Sequence, residues 1–179
     1  MIYEFFAEGF EELEAIAPLD LLRRAGVPVQ SVAVGAQKNV TGSHSISLTC
    51  DITEAELDFS AISGVILPGG PGHVHLLRSP AVQAALDAAA AQNGLLAAIC
   101  AAPVVLGHYG YLVGKRACCY PGHEDSLTGA QILFDPIVRD GNVVTSRGAG
   151  TATEFALALI AYLCSEEKAC EIAAQIQKP

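Results

Sequence analysis

The chain alternates between short apolar runs and longer segments with helical periodicity. Short apolar runs bounded by Gly, Pro or Asp are typical of strands, whereas apolar residues three or four positions apart are typical of helices. Two runs, GVIL and LLAAI, are apolar without interruption, which indicates strands buried on both faces of a parallel sheet. The pattern predicts strands at 2–6, 27–34, 64–68, 95–99 and 142–146, and helices at 11–26, 79–94, 101–110, 151–164 and 165–176.

Turn residues mark several boundaries of these predicted elements. Gly26 and Gly94 follow two of the helices, where a residue in the left-handed conformation commonly caps the helix. Asp140-Gly141 is a hairpin signal between two short apolar runs, and Thr151 begins a capping-box pattern at a helix start. The sequence therefore predicts one α/β domain over residues 1–179, with a mostly parallel central sheet between two layers of helices.

Composition and charge narrow the classes of partner. Of the 179 residues, 51% are hydrophobic, enough for one well-filled core, and the formal net charge is -9. Phosphate backbones and anionic lipid both require a basic face, so neither nucleic acid nor a membrane is an expected partner. The first residues include Glu4 and Glu8 and form neither a basic leader nor a long apolar stretch. We therefore expect a cytoplasmic protein whose partners are small molecules or other proteins.

Six cysteines occur in the chain without a metal-binding spacing. A chain this apolar needs no disulfides, so most thiols are expected to be reduced and to fill the core. There is no C-x-x-C pair and no H-x-x-x-H pair, so the sequence predicts no metal and no cofactor. The cysteines are Cys50, Cys100, Cys118, Cys119, Cys164 and Cys170.

Cys100 stands where a predicted strand passes into a predicted helix. Ligands of parallel sheets bind at the carboxyl ends of strands, where loops and helix N-termini meet. Helix amides and the helix dipole lower a thiol pKa there, and a sharp strand-to-helix turn exposes a nucleophile. The alternative is ordinary packing, because free cysteine is among the most buried residue types. The residues around Cys100 favour neither interpretation over the other.

Glu14 belongs to an acidic cluster at the start of the first predicted helix. Acidic residues are favoured in a helix first turn, so exposure to water is the simpler interpretation of this side chain. However, Glu14 lies one step off the predicted apolar stripe, where a carboxyl can point into a site at the sheet edge. Pro18 removes the backbone donor for the Glu14 carbonyl, so a local bend is expected. The predicted stripe consists of Leu13, Ile16, Ala17 and Leu21.

Glycines and histidines follow the third predicted strand. The run 68–72, PGGPG, lacks the spacings of phosphate-binding and dinucleotide-binding loops, so nucleotide binding is not predicted. Its glycines either bring backbone amides close to a ligand or form a plain tight connection. His73, His75 and His123 are candidates for a base beside Cys100, although loop histidines often have no such role.

Arg147 and His44 are further polar candidates near the predicted site. Arg147 follows the last predicted strand, where a guanidinium can attract a carboxylate or phosphate. His44 lies in a polar segment whose place relative to the site the sequence does not define.

Several motifs together resemble one known family. FAEGFEELEAIAPLDLLRRAG, VILPGG, AAICAAP, CYPG and TSRGAGTATEFALALI stand in the order and spacing of the ThiJ/PfpI superfamily. The resemblance covers nearly the whole chain and is strongest to the branch of the Parkinsonism-associated protein deglycase and its small bacterial relatives. It implies a homodimeric, flavodoxin-like three-layer sandwich with a strand-to-helix nucleophile elbow. The reactive cysteine would be Cys100, with Glu14 as a protonated carboxyl hydrogen-bonded to the sulfur.

The resemblance implies two alternative functions. One is reactive-carbonyl detoxification of the glyoxalase or deglycase type, in which the Cys100 thiolate attacks an aldehyde such as methylglyoxal and Glu14 moves the proton. The expected oxyanion donors are the amides of Gly70 and Ala101. The other is a non-catalytic redox-sensing or chaperone role, switched when an oxidant modifies Cys100. Whether the protein is an enzyme stays open at this point.

Two residues depart from patterns known in this superfamily. Tyr120 stands where the deglycase has a histidine, so the group that replaces that histidine is not defined. The candidates to line the pocket are Tyr120, Arg147 and His73. His123 is not expected to take over the proton-transfer role of the missing histidine. Ala101 stands where the peptidase branch has a histidine, so a cysteine peptidase or amidotransferase lacks its base.

Overall fold

The computed structural model describes residues 1–178, which form strands and helices in regular alternation. The strands are β1 (Ile2–Phe6), β2 (Val29–Ala33), β3 (Asn39–Thr41), β4 (Ser47–Thr49), β5 (Ile52–Thr53), β6 (Gly64–Leu67), β7 (Leu95–Ile99), β8 (Arg116–Ala117), β9 (Gln131–Ile132), β10 (Ile137–Asp140) and β11 (Val143–Ser146). The helices are α1 (Glu12–Arg24), α2 (His73–Arg78), α3 (Pro80–Ala91), α4 (Pro103–His108), α5 (Ala152–Leu163) and α6 (Glu166–Gln175).

Seven strands form one sheet in the order β10-β11-β7-β6-β1-β2-β5. Every neighbouring pair in this sheet is parallel except β10 and β11. The strands β1, β6, β7 and β11 therefore end at the same edge, and the loops that follow them meet there. Two small pairs, β3–β4 and β8–β9, lie outside the main sheet.

Helices cover both faces of the sheet, because side chains alternate in direction along each strand. On β1, Ile2 and Phe6 pack in a core cluster that contains apolar residues of α1 and α5. Tyr3 and Phe5 point to the other face and pack in a second cluster with residues of α3 and α4. The predicted arrangement of a mostly parallel sheet between two helix layers is confirmed.

Glu4 is a charged residue type within the apolar interior of β1. It lies beside Ser31 of β2 and Ile66 of β6 in the register of the sheet, and its side chain is fully buried. Neither carboxyl oxygen has a hydrogen-bond partner among the described residues. Burial raises the pKa of Glu4 well above its usual range, and the charge of Arg23 acts in the opposite direction. Glu4 is therefore expected to be neutral in the folded protein.

Most predicted boundaries agree with the structure, and two capping predictions are wrong. Gly26 adopts φ = +77° after α1, and Gly141 adopts φ = +62° in the β10–β11 hairpin, as predicted. After α3, however, it is Asn93 that adopts a left-handed φ of +53°, and Gly94 follows it. The Thr151 hydroxyl donates to the Gly148 carbonyl at 2.8 Å and makes no cap bond to α5.

The predicted apolar stripe of α1 is only partly buried. Leu13 is 62% exposed and Ile16 is 39% exposed, whereas Glu12 and Glu14 are buried. The helix runs without a break through Pro18. The stripe was predicted from hydropathy alone. At the start of α1, the face that points into the protein carries buried carboxyl groups instead.

The six cysteines are all unpaired in the structure. Cys164 and Cys170 are exposed near the chain terminus, and the other four are buried. Across residues 1–178, no helix has the length and apolarity needed to cross a membrane.

Candidate active site

Cys100 lies directly after β7 in a tight turn that leads into α4. Its φ is +65°, a left-handed conformation that costs a non-glycine residue roughly 1–2 kcal/mol. Backbone hydrogen bonds hold the turn: the Cys100 N–H donates to Ser146 at 2.9 Å, and the Tyr120 N–H donates to the Cys100 carbonyl at 2.8 Å. Cys100 is 9% exposed. The strand, turn and helix match the predicted elbow geometry.

Glu14 reaches the same place from the first turn of α1. Glu11 caps the helix by accepting from the Glu14 N–H at 2.9 Å. The Glu14 side chain is 1% exposed, and its Oε2 accepts from the Gly69 N–H at 3.0 Å. The Ala149 amide and the Cys100 thiol lie near enough to the carboxyl to lower its pKa. The interpretation of Glu14 as a solvated helix residue is therefore wrong.

Burial raises the pKa of Glu14 to about 7, and the charge of Glu11 adds to this effect. The Cys100 thiol and the amides of Gly69 and Ala149 act in the opposite direction. A carboxyl with this pKa carries a proton in a large share of molecules at neutral pH.

Burial and the negative charge of Glu14 raise the pKa of the Cys100 thiol to about 12, and the amides of Gly70 and Ala101 oppose this rise. A helix N-terminus alone therefore does not give the lowered thiol pKa expected from the sequence. The pair loses its first proton near pH 7 and keeps the second over a wide range. Within that range, a thiolate exists only when the remaining proton is on Glu14.

Gly69 and Gly70 allow the loop after β6 to approach both groups. A methyl group on Gly69 would lie 2.7 Å from both Cys100 Cβ and Glu14 Oε2. Gly70 has φ = +84°, and a methyl group there would lie 2.5 Å from the Glu11 amide nitrogen. No larger residue fits at either position, because the atoms it would meet are backbone or site atoms. The glycine run is thus a close approach of backbone to the site.

Tyr120 lies at the rim of the site, and Arg147 contacts a backbone carbonyl. The Tyr120 side chain is 51% exposed, and its ring lies 3.4 Å from the position of a methyl group on Gly148. That position is 3.8 Å from Glu14 Oε1, so the ring lies close to the carboxyl. The Arg147 guanidinium donates to the Phe134 carbonyl at 3.3 Å.

The candidate histidines occupy different places. His73 lies at the start of α2, and its Nδ1 donates to the Gly70 carbonyl at 2.9 Å. The rings of His73 and His123 meet edge to face with centroids 5.6 Å apart. His44 lies in the β3–β4 hairpin, where its Nδ1 contacts Glu12 at 2.8 Å.

The ligand atoms of Glu11, Glu12 and His44 lie within 4.8 Å of one another, close enough to hold a metal ion. The Glu12 carboxylate already accepts from the backbone N–H of His44 at 2.7 Å and from the Ser43 hydroxyl at 3.3 Å. Although burial acts against it, the contact with His44 lowers the pKa of Glu12. The cluster fastens the hairpin to α1.

Sequence reasoning did not identify Gly69 and Ala149 as contacts of Glu14. Both act through backbone amides, which carry no side-chain signal. The glycine run of PGGPG indicated a close approach in general, and only the fold shows which amide faces which carboxyl oxygen.

The sheet topology and the elbow cysteine define a flavodoxin-like α/β protein with a buried thiol–carboxyl pair at the carboxyl edge of the sheet. A model of the DJ-1/PfpI family matches residues 1–162. The chain belongs to this family, which confirms the resemblance and the fold predicted from the sequence.

Individual relatives extend this result. The chain is 38% identical over 170 residues to protein dj-1beta of Drosophila melanogaster, covering 93% of this chain and 91% of that protein. It is 34% identical over 163 residues to the glutathione-independent glyoxalase DJR-1.2 of Caenorhabditis elegans, covering 90% and 87%. The solved structure of oxidised Toxoplasma gondii DJ-1 has a TM-score of 0.94 at 34% identity and covers 98% of this chain and 97% of that one.

Proposed function

We propose that the protein is a cofactor-free glyoxalase of the DJ-1 type that converts reactive 2-oxoaldehydes to 2-hydroxy acids, or that removes their adducts. The observation that carries the proposal is the packing of the buried Glu14 carboxyl beside Cys100, since Glu14 Oε2 and Cys100 Cβ both lie 2.7 Å from the position of a methyl group on Gly69. A relative that is 34% identical is named a glutathione-independent glyoxalase, which supports this reaction class.

In the first step, the Cys100 thiolate attacks the aldehyde carbon and forms a carbon–sulfur bond. The carbonyl electron pair moves to the aldehyde oxygen, which takes the proton of Glu14 and gives a hemithioacetal. The amides of Gly70 and Ala101, which act to lower the pKa of the Cys100 thiol, are the proposed donors to the developing oxyanion.

In the second step, the Glu14 carboxylate removes the proton from the former aldehyde carbon and returns it to the neighbouring ketone carbon. The hydroxyl proton passes between the two substrate oxygens, and a thioester of Cys100 results. Water hydrolyses the thioester, releases the 2-hydroxy acid and restores the proton to the pair. One carbon is oxidised and its neighbour reduced, so the reaction needs no external electron carrier.

The second candidate function is redox sensing at Cys100, and the oxidised state of the Toxoplasma gondii relative supports it. The thiolate attacks peroxide, a sulfur–oxygen bond forms as the oxygen–oxygen bond breaks, and the leaving hydroxide takes the Glu14 proton as water. A second peroxide carries the sulfenic acid to sulfinic acid. A protein of this type records oxidants without turnover of a carbonyl.

A homodimer is part of the proposal. Leu13 and Ile16 of α1 and Ile46 of the β3–β4 hairpin are large apolar side chains with exposures of 62%, 39% and 59%. The hydrogen bonds of Glu12 fasten the hairpin to α1, so these side chains belong to one region of the surface. A second copy that packs there would remove them from water. Six unpaired cysteines fit the reducing cytoplasm as the proposed location.

Lactate formation from methylglyoxal tests the proposal in the wild type, Cys100→Ala and Glu14→Gln, with Cys170→Ala as the control for an exposed thiol. We expect turnover in the wild type and in Cys170→Ala and its loss in the two site variants. Turnover that survives Cys100→Ala overturns the nucleophile. A wild type without turnover, whose Cys100 peptide gains two oxygen atoms in dilute peroxide, establishes the sensor instead.

A further inference from the structure

His73 fixes the loop that carries Gly70 by two hydrogen bonds to one carbonyl. Its backbone N–H donates to the Gly70 carbonyl oxygen at 3.1 Å, and its ring Nδ1 donates to the same oxygen at 2.9 Å. A carbonyl oxygen only accepts, so Nδ1 carries the proton, and the neutral ring has its lone pair on Nε2. The hydrogen bond of Nδ1 thus sets both the tautomer and the orientation of the ring.

The loop held in this way supplies an amide to the reactive sulfur. Next to Gly70, a methyl group on Gly69 would lie 2.7 Å from Cys100 Cβ, so this loop packs against the cysteine. The Gly70 amide acts to lower the pKa of the Cys100 thiol. On its other side, the loop is attached to the start of α1 and the segment before it by backbone bonds from Glu11 N–H to Gly69 at 3.1 Å and from Gly72 N–H to Gly9 at 2.9 Å. The Gly69 N–H also donates to the Glu14 side chain at 3.0 Å. The His73 ring is the one side chain among the described residues that hydrogen-bonds to Gly70.

His123 connects His73 to the opposite side of Cys100. Its ring packs edge to face on the His73 ring at 5.6 Å between centroids. The His123 N–H donates to the Tyr120 carbonyl at 3.2 Å, and the Tyr120 N–H donates to the Cys100 carbonyl at 2.8 Å. The contact between the imidazoles therefore joins the two segments that flank the thiol.

We propose that His73 is a positioning residue of this site, whose Nδ1–H bond to the Gly70 carbonyl holds the Gly70 amide against the Cys100 sulfur, with His123 orienting the ring. The proposal rests on the proposed function only in taking Cys100 as the reacting group. It assigns to His73 a role in thiolate stabilisation that does not require its ring to touch the substrate.

Asparagine and glutamine separate the two ring nitrogens in an experiment. The amide nitrogen of Asn occupies nearly the place of His Nδ1, whereas that of Gln occupies nearly the place of Nε2. The variants are His73→Asn, His73→Gln and His73→Leu, and His75→Leu is the control from an exposed position on the same helix. The readouts are the iodoacetamide alkylation rate of Cys100 across pH 5.5–9, followed by mass spectrometry of its peptide, and thermal unfolding.

We expect His73→Gln and His73→Leu to alkylate at about a tenth of the wild-type rate at pH 7, with the pH midpoint moved upward, since thiolate loses a stabilising amide. His73→Asn is expected within about twofold of the wild type, as is His75→Leu. Equal alkylation rates in all variants overturn the proposal. An equal loss of rate in the Asn, Gln and Leu variants also overturns it, because the ring would then act only through packing. A retained rate in Gln with a loss in Asn also overturns it, because Nε2 is then the active atom.

Methylglyoxal turnover by the wild type is measured in parallel. If turnover is absent while the Asn and Gln variants still differ in alkylation, the proposed glyoxalase function fails and the role of His73 stands. If turnover is present and the variants do not differ, the proposed role of His73 fails and the proposed glyoxalase function stands.

Discussion

The Gly69 N–H donates a 3.0 Å hydrogen bond to Oε2 of Glu14 within a buried site. Glutamine at position 14 can still accept this bond but cannot release or take up a proton. We expect Glu14→Gln to fold normally and to form lactate about 10²–10⁴-fold more slowly. The measurement is kcat/KM for methylglyoxal, with Glu167→Gln at an exposed position of α6 as the control. A loss smaller than tenfold contradicts the role of Glu14 as proton carrier.

The pH dependence of Cys100 follows from the coupling of the pair. The pKa of Glu14 is raised to about 7 and that of Cys100 to about 12, so the pair holds a single proton between these values. Because the thiolate belongs to this one-proton state, the alkylation rate of Cys100 is expected to rise through a midpoint near pH 7 and then to level off. In Glu14→Gln the midpoint moves toward the ordinary thiol range of about 8.5. Identical midpoints in the two proteins contradict the coupling.

The close approach at Gly69 predicts a specific effect of one methyl group. In Gly69→Ala, the added carbon would lie 2.7 Å from Cys100 Cβ and Glu14 Oε2, so the pair must separate. We expect a loss of stability of about 1–3 kcal/mol from overpacking and a tenfold or greater loss of Cys100 reactivity. Gly150→Ala, where the methyl group meets open space at the same edge of the sheet, is the control. Equal behaviour of the two variants contradicts the close contact.

Glu4 predicts an unusual dependence of stability on pH. Its pKa in the folded protein is raised well above 4.5, so the folded state binds more protons than the unfolded state, and stability falls as pH rises above 4.5. Glu4→Met removes the buried carboxyl, and we expect it to raise the free energy of unfolding at pH 8 by about 1–3 kcal/mol. The gain should be smaller at pH 4.5, where Glu4 is protonated in the folded state and in about half of the unfolded chains. Urea unfolding at the two pH values tests this, and a destabilised variant at pH 8 would falsify it.

The proposed dimer predicts that charges on α1 separate the subunits. Leu13→Lys combined with Ile16→Lys should give a monomer at micromolar concentration. Association of two such copies would bury the lysine charges in an apolar interface. Val113→Lys, at a 65% exposed position outside α1, is the control and should leave the assembly unchanged. Sedimentation velocity measures the outcome. A double variant that sediments as the wild type does excludes this face.

The apolar pattern predicted the five inner strands β1, β2, β6, β7 and β11, because buried parallel strands such as β6 and β7 have no polar positions. It missed the two edge strands of the sheet, β5 and β10. The long helices could be predicted from apolar residues that recur three or four positions apart. The short pairs β3–β4 and β8–β9 carry two or three residues per strand and leave no periodicity to detect. The end of α3 was assigned to Gly94, although Asn93 also tolerates the left-handed conformation and adopts it.

For the site, residue types identified Cys100, but local pattern alone favoured exposure of Glu14. The burial of that carboxyl depends on the distant segments that contain Gly69 and Ala149. Such long-range contacts are not encoded in the spacing of α1, so only the resemblance to a family indicated the pair. The contact between His73 and His123 likewise joins two segments that are far apart along the chain.

The distribution of the six thiols determines how any chemical labelling of this protein must be interpreted. Cys164 and Cys170 are exposed at the end of α5 and in α6, whereas Cys100, directly after β7, is 9% exposed. A bulk count of free thiols would therefore be dominated by two residues that take no part in the proposed chemistry. In a variant with serine at positions 164 and 170, a colorimetric thiol assay would report almost solely on the reactivity of Cys100.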